Sequence, residues 1–200
     1  ADHGYGNAMN VMRTVEELEA TGVAALSIED TLLPQTYKSG GKAQLILLEE
    51  GIGKMRAALC ARADKNLVIA GRTSAPAISG IADAIERARA YQDCGVDAIF
   101  LVGVKTKQDL DAVASVIKVP MILGGVGKEL RDREFLAERG VRICLQGHQP
   151  FAACVQALYQ TMKALREGSL PEALSGVADE ALMARVARAE AYAQSMREFL

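Results

Sequence analysis

Short apolar runs and longer amphipathic stretches alternate along the chain. The short runs occupy residues 23–28, 67–71, 98–102, 120–123 and 141–145. A continuous apolar run of this length is typical of a strand buried on both faces of a parallel sheet. In the other stretches apolar residues recur three and four positions apart, which predicts helices at about residues 7–21, 42–62, 79–94, 107–117, 129–139 and 151–166.

The alternation of strand and helix predicts an α/β fold with a parallel sheet. We count five β/α steps, taking the opening helix as the end of a step whose strand is cut off. An open doubly wound sheet and a (β/α)8 TIM barrel both fit this alternation. We interpret the chain as the larger part of a barrel. Because a barrel needs eight units in about 250 residues, we expect its first two to three units to be missing here.

The last part of the chain has a different pattern. Residues 169–171 (Ser-Leu-Pro) break the last barrel helix, and residues 179–199 carry apolar side chains at helical spacing. We therefore predict a barrel part with the catalytic site in residues 1–168 and a helical extension, preceded by a break, in residues 169–200. The apolar stripe of the extension must be buried, on its own barrel or on a neighbouring subunit. We favour the second and expect a homo-oligomer, a dimer or a tetramer.

Composition argues against several classes of protein. A net charge of −2 provides no field for steering nucleic acid or an anionic membrane surface. No apolar run reaches the roughly 18–20 residues of a membrane span, and we find no signal peptide. The four cysteines lack disulfide or zinc-ligand spacing. We expect a reducing, cytoplasmic compartment, with Cys60, Cys144 and Cys154 buried as small hydrophobic side chains.

Polar side chains follow the predicted strands at their carboxyl ends. Because the carboxyl ends of barrel strands build the active site, these side chains are the candidate site residues: Asp2, Glu29, Arg72 and His148. Asp30 stands beside Glu29, and we expect one of the two acids to bind a helix or loop instead. Position favours Glu29 as the site residue. Arg72 in a salt bridge without function and His148 as a structural residue are the alternatives.

The opening stretch combines Asp2 with two glycines, Gly4 and Gly6, on either side of Tyr5. Glycine lets backbone N–H groups approach a ligand closely, and the helix that begins near Asn7 directs its positive dipole end at an anion. We interpret the stretch as a binding loop in which Asp2 faces a metal or a polar substrate. A glycine-rich turn with a solvated aspartate is the alternative.

Four motifs together resemble the phosphoenolpyruvate mutase/isocitrate lyase superfamily, most closely its oxaloacetate decarboxylase branch. They are Asp-His-Gly-Tyr-Gly-Asn at residues 2–7, Ser-Ile-Glu-Asp-Thr-Leu-Leu-Pro at 27–34, Arg-Thr at 72–73 and Gln-Gly-His at 146–148. The resemblance implies a (β/α)8 barrel and a Mg2+ ion, with Mn2+ as a substitute. It also implies 2-oxo or 2-hydroxy acid chemistry and an oligomer that exchanges a C-terminal helix between subunits.

The resemblance also implies roles for individual residues. Asp2 and Glu29 correspond to metal-binding acids, and the first metal-binding aspartate of the family would lie two positions before Asp2, upstream of Ala1. Arg72 corresponds to the arginine that binds a substrate carboxylate, and His148 to a histidine that contacts substrate in the decarboxylase branch. With the backbone of Gly4, Tyr5 and Gly6, these two form the predicted substrate-binding set.

Departures from the family pattern oppose two of its activities. The loop at residues 34–40 has neither the cysteine nor the histidine of the lyases, and Gln35 stands where the mutase has a lysine. The strand that ends at Val102 is not followed by the glutamate of the lyases. Lyase chemistry needs groups that transfer a proton at a carbanion, and mutase chemistry needs a group that handles the phosphoryl group. The departures therefore favour decarboxylation.

We expect Mg2+-dependent decarboxylation of oxaloacetate to pyruvate and carbon dioxide. This reaction needs an electron sink for the enolate that forms, and a chelated Mg2+ provides it as a Lewis acid. Arg72 would hold a carboxylate bidentately, and His148 would orient the substrate or assist protonation. A C–C lyase acting on a 2-alkylmalate or 2-methylisocitrate-like acid is one alternative. A non-catalytic barrel that binds small acids is the other.

Overall fold

A computed structural model describes residues 1–35, 37 and 40–200. The chain divides into two compact units, Ala1–Gly147 and His148–Leu200, which we describe separately. The first unit contains helices α1 to α6 and strands β1 to β5. In chain order its elements are α1 (Ala8–Ala20), β1 (Ala25–Glu29), α2 (Leu48–Ala61), β2 (Val68–Thr73), α3 (Ala75–Ile78), α4 (Ile81–Cys94), β3 (Ala98–Val102), α5 (Lys107–Ala114), β4 (Met121–Gly124), α6 (Arg133–Glu138) and β5 (Val141–Cys144).

The five strands form one parallel sheet in the order β1-β2-β3-β4-β5. Each strand pairs with the next one along the chain. Right-handed crossovers between strands in sequential order place all connecting helices on the same face of the sheet. A doubly wound sheet would instead reverse its strand order at a switch point. The α/β prediction is confirmed, and the strand order is that of a barrel.

The two faces of this sheet differ in character. On the face that packs against the helices the strand side chains are fully buried, among them Ile28 and Ile99. Gly71 is the register partner of both Ile28 and Ile99. A Cβ atom added to Gly71 would stand 3.1 Å from the Cβ of Tyr91 in α4. Glycine therefore allows α4 to approach the sheet closely. The opposite face carries Glu29, Arg72 and Phe100, which are also in register.

Two helices begin later than the sequence pattern predicts. Helix α2 begins at Leu48 rather than near residue 42, because residues 44–46 pair with 30–32. Leu32 N donates to Gln44 O at 2.8 Å and Ile46 N donates to Asp30 O at 2.9 Å. Helix α6 begins at Arg133, after Asp132 caps it, and the short α3 was not expected. Of the predicted mobile loop at 31–41, residues 36, 38 and 39 lie outside the described residues.

The second unit contains α7 (Gln149–Arg166), a 3-10 helix (Pro171–Ala173), α8 (Glu180–Val186) and α9 (Ala189–Phe199). The predicted single helix at 179–199 is wrong, because Arg188 adopts φ +54° between α8 and α9. None of the three α-helices has a buried residue. The predicted boundary after residue 168 is not tested by this division and stays a prediction.

All four cysteines are free thiols, and their burial differs from expectation. Cys60 and Cys154 are exposed, whereas Cys94 and Cys144 are half-buried. The prediction of buried roles was wrong for Cys60 and Cys154. Cys60 is not among the buried residues of α2, and α7 buries none of its residues. In the part of the chain that the structure describes, no helix is both long enough and apolar enough to cross a membrane.

Candidate metal and carboxylate site

Glu29 and Arg72 lie side by side at the carboxyl ends of β1 and β2. They are register partners, and Arg72 Nε lies 2.9 Å from Glu29 Oε2. This distance makes an ion pair, but the two groups are not aligned as a hydrogen bond. Both atoms are buried without a hydrogen-bond partner among the described residues. The guanidinium also lies over the ring of Phe100, 5.0 Å from its centroid, so it is held on two sides.

Asp2 completes this cluster from the opening loop. Its carbonyl accepts a hydrogen bond from the N–H of Glu29 at 2.9 Å, which joins the loop to the end of β1. Its side chain is 47% exposed, whereas the side chain of Glu29 is 5% exposed. The structure therefore brings Asp2, Glu29 and Arg72 together, as the strand-end argument predicts.

The environment of Glu29 disfavours its charged form. Burial raises the pKa of Glu29, and the charge of Arg72 opposes that shift. The carboxylate of Asp2 raises the pKa further, because it accepts a hydrogen bond from the protonated form of Glu29 and carries a negative charge. A carboxyl group that is buried beside a second carboxylate is stabilised as an anion when a cation binds both. The cluster therefore contains two carboxyl groups and one arginine, and the positive charge of Arg72 only partly balances the negative charge of Asp2 and Glu29.

The donor set of this cluster fits Mg2+. Carboxylate oxygens are the hard ligands that Mg2+ prefers, and Mg2+ commonly binds one or two carboxylates and keeps several waters. Glu29 Oε2 is buried without a hydrogen-bond partner in the described residues. Its neighbour is the Arg72 guanidinium at 2.9 Å, and a carboxylate has further lone pairs that a cation can use beside that ion pair. Within the described part of the chain no three histidine, cysteine or acidic side chains cluster as metal ligands. Asp2 and Glu29 are the pair that fits.

Asp30 faces the helices and takes no part in this cluster. It is fully buried, and its Oδ2 accepts hydrogen bonds from Tyr91 Oη at 2.7 Å and Arg87 Nη1 at 3.1 Å. Burial and the negative charge of Asp30 raise the pKa of Tyr91. The expectation that Glu29 rather than Asp30 is the site residue agrees with this placement.

The sequence interpretation missed Arg87 and Tyr91, although a signal for them exists. Asp83, Arg87 and Tyr91 recur every four residues and therefore share one face of α4. Arg87 Nε donates to both carboxylate oxygens of Asp83 at 3.0 Å. Three polar residues on the face that packs against the sheet indicate a buried polar network.

The opening loop uses its glycines for packing. A Cβ atom on Gly4 would stand 2.3 Å from Val11 Cγ2, and one on Gly6 would stand 2.3 Å from Asn10 Oδ1. The N–H of Gly4 donates to Ala1 O at 3.1 Å. This corrects the expectation that the Gly4 amide holds a substrate carboxylate, because that donor is already used. Tyr5 is 65% exposed.

The beginning of α1 also differs from expectation. The side chain of Asn7 accepts from the N–H groups of Met9 and Asn10, and Asn10 accepts in turn from the N–H of Asn7. Such a reciprocal cap satisfies the amides that an anion would otherwise use. The predicted anion site at this helix end is therefore occupied by the helix's own side chains.

His148 is the first residue of the second unit. It stands at the N-cap of α7, is exposed, and makes no capping hydrogen bond with its side chain. Proline follows within the first helical turn, which is a favourable place for it. The predicted contact of His148 with substrate stays a prediction.

Known proteins resemble the chain over its whole length. An oxaloacetate decarboxylase of Bradyrhizobium sp. (strain ORS 278) is 54% identical over 200 residues, which are 100% of this chain and 69% of that protein. The structure of a phosphonopyruvate hydrolase in complex with oxalate and Mg2+ matches with a TM-score of 0.79 and 27% identity, covering 99% of this chain and 70% of the other. A 2,3-dimethylmalate lyase structure matches with a TM-score of 0.79 and 25% identity, over 99% and 69% of the two chains.

These similarities confirm the resemblance predicted from the motifs and the expectation that the chain is an enzyme. The family described as phosphoenolpyruvate phosphomutase matches residues 1–166. That range includes every residue of the cluster and the loop that carries Asp2. The chain belongs to the phosphoenolpyruvate phosphomutase family.

Proposed function

We propose that the protein decarboxylates oxaloacetate to pyruvate and carbon dioxide with Mg2+ as cofactor. The observation that carries this proposal is the cluster of Asp2, Glu29 and Arg72, in which a buried Glu29 oxygen lacks a hydrogen-bond partner. The name of the Bradyrhizobium relative supports the substrate. The oxalate and Mg2+ in the phosphonopyruvate hydrolase complex support a metal and a small dicarboxylate at this site.

Each group in the cluster has a distinct role. Asp2 and Glu29 would hold Mg2+, for which Mn2+ can substitute. When bound, the metal supplies a Lewis acid that polarises the 2-oxo group of the substrate. Arg72 presents a planar guanidinium that binds a carboxylate side-on. Phe100 beneath the guanidinium restricts its orientation, so the bound carboxylate is held in one position.

The reaction itself requires little acid–base machinery. The bond between C3 and the departing carboxylate breaks, its electron pair moves onto C3 and the 2-oxo group, and carbon dioxide leaves. A proton then adds to C3 and gives pyruvate. Arg72 orients the substrate through a carboxylate that stays. We assign protonation or substrate orientation to His148 because an imidazole ring can both accept and donate a proton.

Turnover of oxaloacetate by the purified full-length protein tests the proposal. We expect Mg2+-dependent pyruvate formation well above an enzyme-free blank, its loss with EDTA, and its recovery when Mg2+ or Mn2+ is restored. The comparison variant is Glu29→Gln, which keeps the shape of the side chain and removes the negative charge of the proposed metal ligand. Turnover that is equal in the blank, in this variant and in the native protein would rule the proposal out.

A C–C lyase acting on a 2-alkylmalate is the second candidate, favoured by similarity to the 2,3-dimethylmalate lyase structure. The same assay with 2-alkylmalates and 2-methylisocitrate separates the two, since a lyase releases a second organic acid. The loop at residues 34–40 contains neither cysteine nor histidine, which opposes this candidate. Lack of turnover with every acid, despite binding, would support a non-catalytic small-acid-binding protein.

Replacing His148 by alanine is expected to lower kcat about 100-fold or more without unfolding the protein, because general acid–base groups contribute about 10²–10⁴-fold. Circular dichroism and initial rates at several pH values provide the measurement. Gln149→Ala, at the next position, is the matched control. A His148 variant that melts early and retains native kcat would show a structural role instead.

We also propose that the protein forms a homo-oligomer through its C-terminal helices. Six exposed apolar side chains of α7 recur at helical spacing, namely Phe151, Val155, Leu158, Tyr159, Met162 and Leu165. An exposed stripe of this kind is typical of an interaction surface. Light scattering should show that Leu158→Lys reduces the molar mass of the particle. The exposed Gln160→Lys should leave it unchanged, and equal masses for both variants would contradict the proposal.

The four free cysteines support our proposal of a reducing, cytoplasmic compartment, since disulfides form mainly in oxidising ones. Mass spectrometry of protein alkylated at lysis should find Cys60, Cys94, Cys144 and Cys154 all alkylated. Disulfide-linked forms under these conditions would argue for a different compartment.

A further inference from the structure

Lys54 is a buried charged residue that the proposed mechanism does not use. It lies in α2 and is 2% exposed. Its Nζ donates a hydrogen bond to the carbonyl oxygen of His3 at 3.0 Å, across 51 positions of sequence. A lysine is almost never fully buried unless its charge is balanced or hydrogen-bonded. This hydrogen bond is directed at the loop that carries Asp2.

Three successive carbonyl groups of this loop are each bound by a different element. Asp2 O accepts from the N–H of Glu29 at 2.9 Å, in β1. His3 O accepts from Lys54 in α2. Gly4 O accepts from Thr14 Oγ1 at 3.2 Å, in α1. The loop is therefore tied to one strand and two helices through consecutive peptide groups.

The backbone of this loop needs such support. Asp2 has φ +51° and Tyr5 has φ +58°, a region that non-glycine residues rarely adopt. Conformations of this kind are strained and persist only where surrounding contacts impose them. The side-chain direction of Asp2 depends on these dihedral angles. Contacts that hold the peptide after Asp2 therefore decide where its carboxylate points.

The charge of Lys54 matches its surroundings. Burial lowers the pKa of Lys54, whereas the negative charges of Glu50, Asp30 and Glu29 oppose that shift. The ammonium group thus lies within the field of the acidic residues at the end of β1. A charged donor makes a stronger hydrogen bond to a carbonyl than a neutral one does, so the ammonium is well suited to hold His3 O.

We propose that Lys54 is a positioning residue for Asp2: its hydrogen bond to His3 O fixes the loop so that the Asp2 carboxylate meets Glu29 at one divalent cation. The inference rests on the proposed metal-binding role of Asp2 and Glu29. It assigns no contact between Lys54 and substrate. Residues that orient metal ligands typically change metal affinity about 10- to 100-fold when they are replaced.

The test compares Lys54 of α2 with Arg62, the residue directly after α2, because both donate to a backbone carbonyl. Lys54→Met removes the donor to His3 O. Arg62→Met removes a donor to Leu67 O at 2.8 Å and to Asp97 Oδ2 at 2.6 Å, both outside the Asp2 loop, and serves as the control. Mg2+ affinity is measured by calorimetry on the full-length protein, and thermal unfolding is recorded for every variant. Hydrogen exchange of the Gly4 and Glu29 amides, which donate to Ala1 O and Asp2 O, reports on the loop without metal.

We expect Lys54→Met to weaken Mg2+ binding about 10- to 100-fold and to accelerate exchange of both amides, while Arg62→Met lowers the melting temperature with Mg2+ affinity unchanged. Lys54→Gln, which keeps a shorter neutral donor, should fall between native and Met and provides the measurement if the Met variant does not fold. Native Mg2+ affinity and native exchange in the Lys54 variants would overturn the proposal.

The outcome is separable from that of the proposed function. If the native protein binds Mg2+ but does not decarboxylate oxaloacetate, the decarboxylase proposal fails and the affinity comparison still judges Lys54. If the native protein does not bind Mg2+, exchange of the Gly4 and Glu29 amides decides whether Lys54 holds the loop. Unchanged exchange in that case also overturns the proposal.

Discussion

Replacing Arg72 by methionine is expected to lower kcat/KM for oxaloacetate about 100-fold, mainly by raising KM. The guanidinium is the carboxylate-binding group of the cluster, and Nε already lies 2.9 Å from Glu29 Oε2. Loss of a charged partner in a buried pair costs about 2–5 kcal/mol, and a 100-fold change corresponds to about 2.7 kcal/mol. Initial rates over a range of oxaloacetate concentrations, at saturating Mg2+, provide the measurement.

Two further variants make this result specific. Arg56→Met removes an exposed arginine of α2 and should leave kcat/KM unchanged. Arg72→Lys keeps the charge but loses the planar fork and the stacking on Phe100, so it should recover only part of the loss. If Arg72→Met has native kinetics, Arg72 does not bind substrate and its ion pair with Glu29 is structural.

The largest effect on stability is expected from Arg87→Met, which should lower the free energy of unfolding by about 3–5 kcal/mol. Arg87 contacts Asp30, Asp83 and the carbonyl of Ile46. Asp30 is fully buried, so the substitution leaves its charge with Tyr91 as the remaining hydrogen-bond donor. Equilibrium denaturation in urea or guanidinium chloride, monitored by circular dichroism, measures the change.

The exposed pair Arg13–Glu17 of α1 is the matched control, since it has the same four-residue spacing as Asp83 and Arg87. Arg13→Met should change the free energy of unfolding by less than about 1 kcal/mol, as exposed ion pairs do. Equal effects of the two substitutions would show that the Asp30 network contributes little. Arg87→Met leaves the buried charge of Asp30 without its cationic partner, whereas Asp30→Asn removes that charge. Asp30→Asn should therefore lower the free energy of unfolding by less than Arg87→Met.

Tyr91 gives the same network a dependence on pH. Burial and the charge of Asp30 raise the pKa of Tyr91 above its usual value. A tyrosine in the unfolded chain loses its proton near pH 10 while the folded one retains it. The stabilisation from Tyr91 is therefore complete below about pH 10 and declines as the pH rises beyond it. In Tyr91→Phe this decline should be smaller.

Much of the fold and of the site follows from local pattern. The five apolar runs became the five parallel strands, because short continuous apolar segments suit strands that are covered on both faces of such a sheet. Asp2, Glu29 and Arg72 were expected together because strand carboxyl ends meet at one edge. Glu29 and Arg72 are in fact register partners. The role of His148 and the oligomer depend on contacts that neither pattern nor this geometry tests.

Other features were decided by contacts between distant parts of the chain. Asp30 binds side chains 57 and 61 positions away, and nothing adjacent to it in sequence indicates that partnership. The sequence pattern does not distinguish Lys54 from other helix lysines, and only the structure shows that its ammonium donates to His3 O. The Gly4 amide, predicted to hold substrate, closes a turn to Ala1 instead. Helix α2 starts late because residues 44–46 are used in pairing with the end of β1.

By itself the sequence determined the order of strands and helices, the edge of the sheet at which polar residues gather, and the family motifs. These are properties of periodicity and of residue type, which local segments carry on their own. Only the tertiary structure decided which side chains bind the buried Asp30, which amides of the opening loop remain available, and which buried cation binds the loop that carries Asp2. Those choices depend on burial and on hydrogen bonds between segments far apart in sequence, and a buried polar group takes whichever partner the packed elements bring to it.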